Sequence, residues 1–411
     1  MAQQNILRAT IDLDAIRARL QDKHERSFRL IRDAERLLLA PHPDADGLAA
    51  AALIVTGFKI PQRRWMLLPI NTASRSFTRE DIREIFRYHP DIITFLDLSP
   101  NNERQMELLK RKSSLTLVDH HRPPAGLADK LLLGINPEPD IHSSAGAYPT
   151  GKLVYDLIGA SARPDLALVS IMGDQTHDAW RGFLKSFTSD ELELAERVAR
   201  RLSLVGAAHR IDSRENRHAI LKRQRALFGY LVQSKSLPAF MSAFEAAKLL
   251  KETYDKLEEG IVANTGKAQV AIESGVEFVH VQLKGNTQWS VISGVLSRLE
   301  LVAPNQTIII SEPWYRGVEL RGMTNDPDID IAELFKGFGG GHAAIGGGHS
   351  EARAGEVIDV LRERWTAMKG KPPEAAKGQT AGDALEELNA TSVARPRAPR
   401  KRKQTEIEDL F

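Results

Sequence analysis

Pro41-His42-Pro43-Asp44-Ala45-Asp46-Gly47-Leu48 is the stretch on which the reading of this chain turns. It follows the apolar run Leu37-Leu38-Leu39-Ala40 and precedes the small apolar run Ala49 to Val55. That order reads as a buried strand, a sharp turn at Gly47 and then a helix. One histidine and two aspartates alternate at the C-terminal end of the strand, where open α/β sheets place their chemistry. On an extended segment they would splay to opposite faces, but a turn lets all three converge. One imidazole with two carboxylates suits borderline metals such as Mn²⁺ or Zn²⁺. A polar turn ending in a helix N-cap aspartate fits the same residues, and the stretch alone leaves both readings open.

The 411 residues suffice for two or three domains. An apolar content of 42% and a charged content of 27% are those of a soluble globular chain. With no cysteine, neither disulfides nor thiolate metal sites are available. Residues 1–20 are polar and charged, unlike a secretory signal. No apolar run reaches the roughly 18 residues of a membrane span, so a cytoplasmic location is expected and no membrane contact.

Apolar positions at helical spacing (Ile16, Leu20, Phe28, Ile31) predict one or two amphipathic helices over 11–36. From 37 to 180, short apolar runs (65–68, 92–96, 115–118, 131–135) alternate with helical segments (81–88, 101–111, 145–158). This alternation predicts an α/β domain, its mostly parallel sheet covered by helices on both faces, over residues 1–187. Residues 188–259 read as a helical connector. They carry nine basic residues, Arg197, Arg200, Arg201, Arg210, Arg214, Arg217, Lys222, Arg223 and Arg225. A solvated helix face is the default for such a run, and a nucleic-acid track is the alternative. Strand-like runs return at 268–272, 278–283, 307–310 and 318–321, with helices near 290–300, 330–336 and 351–368, giving a second, smaller α/β domain over 260–368. Residues 369–403 are rich in Gly, Pro, Ala and Lys/Arg and predict a disordered tail over 369–411.

Three more apolar runs end on acids or histidines. Asp97 ends Ile92–Leu96, Asp119-His120-His121 ends Leu115–Val118, and Asp174 ends Leu166–Gly173. One such strand end is ordinarily a cap or turn. Four of them, supplying five Asp and three His, exceed what caps explain. Carboxylates converging at one sheet edge repel unless cations neutralise them. Two divalent ions roughly 3.5–4 Å apart would do so, bridged by one carboxylate.

His-x-Asp-x-Asp-Gly, a strand-end Asp, Asp-His-His and a later Gly-Asp, in that order, resemble the four motifs of the DHH phosphoesterases. Residues 337–349, Gly-Phe-Gly-Gly-Gly-His-Ala-Ala-Ile-Gly-Gly-Gly-His, are similar to the Gly-Gly-His motif of the DHH-associated C-terminal domain. The resemblance covers about 36–366. It implies two Mn²⁺ ions, with Mg²⁺ or Zn²⁺ as substitutes. His42, Asp44 and Asp97 would hold one ion; Asp46, Asp97, His120 and Asp174 the other. His121 would contact the scissile phosphate, and Asp119 would orient its neighbours. Asp174 is preferred to Asp178 because it directly ends the apolar run, and His177 is read as a surface residue.

In the second domain the resemblance makes Arg321, Gly340, Gly341 and His342 candidates for gripping a nucleotide. As a loop between two helical segments, the glycine-rich stretch 337–349 would let backbone N–H groups approach a phosphate closely. Ser143 and Ser144, ahead of helix 145–158, would offer phosphate a helix N-terminus or simply cap the helix. The final residues, with Gln404, Ile407, Leu410 and Phe411, resemble the peptide that binds the sliding clamp PCNA, with Leu410 where an aromatic is usual. That would belong to an archaeal-type replication or repair setting.

The resemblance implies a RecJ-like, Mn²⁺-dependent exonuclease on single-stranded DNA or RNA. A phosphodiesterase for short oligoribonucleotides, cyclic dinucleotides or 3′-phosphoadenosine 5′-phosphate is the second enzyme reading. Catalytically silent replisome cofactors, partners of GINS, form a third class; they have lost ligands, whereas every expected ligand type is present here.

Overall fold

Alternating burial along one strand organises the first sheet. In a computed structural model of the chain, Leu37 and Leu39 of β1 (Leu37–Pro41) join one apolar cluster, while Leu38 and Ala40 join another. A strand covered on both faces is the signature of a parallel sheet between helix layers. β1 pairs in parallel with β2 (Trp65–Leu67) and β3 (Ile92–Leu96). β4 (Ser114–Val118) and β5 (Leu133–Ile135) extend the sheet in the order β2-β1-β3-β4-β5, all parallel. The structure describes residues 25–70, 75–121, 131, 133–136, 148–159, 161–208, 217–283, 290–303, 305–314, 317–341 and 345–370.

One face of this sheet carries α1 (Ala45–Gly57), with α2 (Arg79–Tyr88) and α3 (Glu103–Lys110) on the other. α4 (Thr150–Ile158), α5 (Pro164–Gly173), α6 (Ser189–Ala207) and α8 (Leu237–Ala246) add to the α1 side, and α7 (Arg217–Gln233) joins both, with Leu221 in the cluster of α2 and α3. α1 is buried at every position except Thr56. Its alanines and glycines admit neighbours closely: a Cβ on Gly173 of α5 would lie 2.6 Å from Ala45 Cβ.

The chain divides into two compact units. Among the described residues, the first comprises those up to Ala208 and from Arg217 to Tyr254, and the second those from Asp255 onward. The division falls within α9 (Lys248–Glu273). In the second unit, β6 (Phe278–Gln282) runs parallel to β7 (Thr307–Trp314). β8 (Gly317–Thr324), β10 (Ile345–Ser350) and β9 (Gly339–Gly341) follow antiparallel, in the order β6-β7-β8-β10-β9. α10 (Ile292–Leu296), α11 (Ile331–Leu334) and α12 (Ala354–Met368) complete it, with α11 and α12 packed over Ile309, Val318 and Leu320. No helix among the described residues is long and apolar enough to cross a membrane.

Four local expectations are corrected. The run before Asp174 is helix α5: Leu166 to Met172 are all buried, and a short continuous apolar run does not reveal its period. Likewise 268–272 is the end of α9. Gly47 lies inside α1, and the turn precedes it; a Cβ there would lie 2.3 Å from the His42 carbonyl oxygen. The glycine-rich stretch is the strand pair β9–β10. Its glycines serve close backbone approach, since a Cβ on Gly348 would sit 2.2 Å from the Phe338 carbonyl oxygen.

The arginines of 197–225 are spent partly on this architecture. Arg225 Nε donates to the Leu67 carbonyl at 2.9 Å, Arg217 Nε to Asp81 at 3.0 Å, Arg223 Nε to the Val205 carbonyl at 3.2 Å, and Arg201 to Glu245 at 2.9 Å. These four tie helices to one another or, for Arg225, to β2, so a solvated face does not describe them; Arg210 and Arg214 lie outside the described residues. α6 also braces the turn 42–44 and the start of α1: Ser203 Oγ accepts from Ala45 N–H at 3.1 Å, and a Cβ on Gly206 would lie 2.0 Å from the Pro43 carbonyl oxygen. Gly206→Ala is therefore expected to destabilise the first unit by about 1–3 kcal/mol through overpacking, measured by urea unfolding; an unchanged midpoint would refute the brace.

Candidate metal centre

Three adjacent strands deliver the polar residues. β1, β3 and β4 lie side by side, and the chain beyond each carries His42 to Asp46, Asp97, and Asp119 to His121. The ladder continues past the strand ends, with His42 N–H donating to Leu96 O at 2.8 Å and Asp97 N–H to Val118 O at 2.9 Å. Asp97 then turns the chain with φ of 60°. An L-residue takes this left-handed conformation at some cost, and Asp tolerates it better than most. Asp174 comes from the C-cap of α5.

The eight residues expected from sequence, His42, Asp44, Asp46, Asp97, Asp119, His120, His121 and Asp174, fall in one cluster. His42 Nδ1 is 2.6 Å from Asp44 Oδ2 and 3.7 Å from Asp97 Oδ2. His120 Nε2 lies 3.2 Å from Asp97 Oδ1, 3.3 Å from Asp174 Oδ2 and 3.8 Å from Asp46 Oδ2. His121 Nδ1 lies 2.8 Å from Asp119 Oδ1 and 3.7 Å from Asp97 Oδ1. Three groups are compact enough to hold an ion: His42–Asp44–Asp97, Asp46–His120–Asp174 and Asp97–His120–His121. Asp97 belongs to two because β3 is the middle strand of the three. Asp178 stays outside, paired with Arg181 at the surface, and His177 is exposed. Asp44 lies in the cluster and also caps α1, its Oδ1 accepting from Gly47 N–H at 3.1 Å.

Burial makes this crowding costly. Asp46, Asp97 and Asp119 are at most 2% exposed. Burial, then the charges of Asp46, Asp44, Asp174 and Asp119, push the Asp97 carboxyl well above its ordinary range. Burial and the Asp46 and Asp44 charges do the same to Asp174. Asp46 is raised by burial to about 6, against hydrogen bonds from Ser170, Gly151 and Thr150. Burial also opposes charge on Asp44 and Asp119, yet His42 holds the first, and His121 with Ser99 the second, well below the usual range. For His121, Asp119 outweighs burial and raises the imidazole, with Arg75 opposing. No lysine or arginine among the described residues pairs with Asp44, Asp46, Asp97 or Asp174, and the buried Asp174 Oδ2 accepts no hydrogen bond. Oxygen and imidazole donors with this surplus of negative charge fit divalent metal.

Several supporting residues carried no signal in the sequence. Ser99 Oγ donates to Asp119 Oδ2 at 2.5 Å, and Asn136 Nδ2 to the His121 carbonyl at 2.8 Å. Thr150 and Gly151 N–H each donate to Asp46 at 2.7 Å. The helix expected from 145 starts at Thr150, and these N–H groups go to a protein carboxylate. In the second unit, Arg321 Nε donates to Ser293 Oγ at 3.1 Å, a guanidinium nitrogen lies 3.4 Å from Glu319, and Gly347 packs against the side chain. Gly340 and Gly341 pair with Gly347 and Gly346 across β9–β10. Ser143, Ser144, His342, Gln404, Ile407, Leu410 and Phe411 lie outside the described residues.

No protein-family model matches the sequence, and neither does any curated protein. Solved structures do. RecJ in complex with Mn²⁺ from Thermus thermophilus is similar over 89% of this chain, at 16% identity and a TM-score of 0.58. This chain spans 56% of that protein's length. A DHH domain from a member of a family of ribosomal proteins is similar over 87% of this chain and 93% of its own, at 15% identity and a TM-score of 0.60. Exonuclease RecJ bound to manganese is similar over 88% of this chain and 98% of its own, at 16% identity and a TM-score of 0.52. The fold is that of RecJ and DHH-domain proteins.

Two outcomes are expected. Asp97→Asn keeps a residue that tolerates the left-handed backbone and removes one buried charge. It should raise the unfolding temperature of metal-free protein and shrink the rise produced by Mn²⁺; a lower metal-free value would refute the repulsion. Separately, Asp46 has its folded value raised from 3.8 to about 6, so its stabilising contribution is complete below about pH 4 and is lost as pH rises through 6. That loss is on the order of 3 kcal/mol. Asp97 and Asp174 extend it upward, and Asp44 and Asp119 act only below about pH 4. Urea unfolding with EDTA from pH 4.5 to 8 should show the decline, and Mn²⁺ should abolish it.

Proposed function

We propose that this chain is a RecJ-like exonuclease that hydrolyses phosphodiesters of single-stranded DNA or RNA with two Mn²⁺ ions. One observation carries the reading: five carboxylates and three imidazoles meet at the C-terminal edge of one parallel sheet, with Asp97 at their centre. His42, Asp44 and Asp97 would hold one ion; Asp46, Asp97, His120 and Asp174 the other. Bound ions supply an acidified water and offset charge on the phosphoryl oxygens. The likeness in fold to manganese-bound RecJ supports the choice of metal and substrate class.

The chain's own residues divide the remaining work. Asp119 accepts from His121 backbone N–H at 3.0 Å and lies 2.8 Å from Nδ1, which fixes the ring. Asp119 also favours the imidazolium. His121 thus holds a proton for a non-bridging phosphoryl oxygen as charge develops there. Arg75, whose charge is felt at His121, adds attraction for the anionic strand. In the second unit, Arg321 with Gly340, Gly341 and His342 would grip a nucleotide's terminal phosphate or base. Gln404, Ile407, Leu410 and Phe411 would recruit the enzyme to the sliding clamp.

Labelled DNA and RNA strands and dinucleotides, incubated with Mn²⁺, test the reading. Wild type should shorten long strands, Asp97→Ala should be at background, and His121→Ala should lose about 10²–10³-fold in kcat. Faster hydrolysis of dinucleotides than of strands would favour a short-oligonucleotide phosphodiesterase. No hydrolysis and no stoichiometric metal would favour a replisome cofactor.

A further inference from the structure

The N-terminus of α4 reaches into the carboxylate cluster without supplying a ligand. Thr150 is its first residue, is fully buried, and follows Pro149, which makes no side-chain cap. The first N–H groups of a helix have no partner within it. Here all three are committed. Thr150 N–H donates to Asp46 Oδ2 and Gly151 N–H to Asp46 Oδ1, each at 2.7 Å. Lys152 N–H donates at 3.1 Å to Ser170 Oγ, whose own proton goes to Asp46 Oδ1 at 2.5 Å. The positive end of the helix thus faces a buried carboxylate, where it offsets charge most effectively.

Thr150 does one thing more. Its Oγ1 donates to Asp97 Oδ1 at 3.2 Å. Asp46 stands in the first turn of α1 and Asp97 at the end of β3, so distinct elements carry them. Thr150 hydrogen-bonds both carboxylates, one through its backbone and one through its hydroxyl. Its own place is fixed by its neighbours. A Cβ on Gly151 would lie 2.8 Å from Ser170 Cβ, so α4 and α5 touch at this turn. Lys152 is 3% exposed, with Nζ 2.5 Å from Asp156 Oδ2 and 4.3 Å from the centre of the Trp180 ring. Tyr148 donates to the same Asp156 at 2.8 Å. This anchored turn resists rotation about the helix axis.

We propose that Thr150 is a positioning residue that fixes Asp46 relative to Asp97 and thereby sets the affinity of the centre for divalent ions. The proposal rests on the metal-centre reading above. A carboxylate free to rotate must be ordered when an ion arrives. One already held by a helix N-terminus and a hydroxyl is not, so the ion is bound more tightly. Groups that orient metal ligands typically contribute 10–100-fold in affinity.

The test titrates Mn²⁺ into the metal-free full chain, followed by calorimetry and by the Mn²⁺ EPR spectrum. Thr150→Val keeps the N–H and the branched shape but removes the hydroxyl. Thr150→Ser restores the hydroxyl. Thr150→Val should weaken Mn²⁺ binding by roughly tenfold and change the EPR spectrum of the bound ions, whereas Thr150→Ser should bind as wild type. Thr150→Ala gives the same reading if valine impairs folding. A Thr150→Val or Thr150→Ala protein that binds Mn²⁺ within twofold of wild type would overturn the positioning role while leaving the metal centre intact. Equal weakening in Thr150→Ser would overturn it too, since the hydroxyl would not be the cause. Wild type that takes up no Mn²⁺ would overturn both readings.

Discussion

Negative charge buried at the C-terminal edge of a parallel sheet is the constraint on which the first unit depends. Parallel strands all end at the same edge, so loops from β1, β3 and β4 are brought together by the ladder itself. Asp46, Asp97 and Asp119 have almost no access to water, and carboxylates so placed repel. The fold answers unevenly. Asp119 is matched to His121 and Ser99, and Asp44 to His42 and the start of α1. Asp97 and Asp174 have no matching lysine or arginine among the described residues, and their proton affinity rises accordingly. Divalent metal is the neutralisation for which that imbalance is suited.

Small residues make the arrangement possible. Gly47, Gly151, Gly173 and Gly206 each stand where a Cβ would meet a neighbour at 2.8 Å or less. They let α4 approach α5, α5 approach the start of α1, and α6 approach the turn at Pro43. α6, which follows Asp174 in the chain, therefore belongs to the centre's support: Ser203 and Gly206 touch Ala45 and Pro43. Arginines that the sequence also allowed as a nucleic-acid track fasten α7 to its neighbours. The second unit uses glycine for a related purpose, because close antiparallel packing of β8, β10 and β9 excludes side chains at Gly347 and Gly348.

Much of this was legible in the sequence. Alternating short apolar and helical runs pointed to the parallel sheet with two helix layers, since burial on both faces leaves continuous apolar strands. The eight acids and imidazoles stood out because they gather at the ends of four apolar runs. Three things were not legible. The helical state of α5 was hidden, as a fully buried helix shows no amphipathic period. The roles of Thr150, Ser170 and Ser99 were hidden because a lone hydroxyl has no spacing to mark it. The function of the 197–225 arginines was hidden because pairing partners such as Asp81 and Glu84 lie 136 and 141 residues away in the chain.

The residues alone were enough to say which side chains could carry charge and that the ends of apolar runs would present them, because run length and position are local properties; that one of those runs is helix α5 was not readable. Which of these groups meet followed from how the segments pack. The order β2-β1-β3-β4-β5 put Asp97 in the middle, and the packing of α5 put Asp174 inside the cluster and left Asp178 outside it. Distances between segments far apart in the chain are set by packing, and packing is a property of all the segments at once.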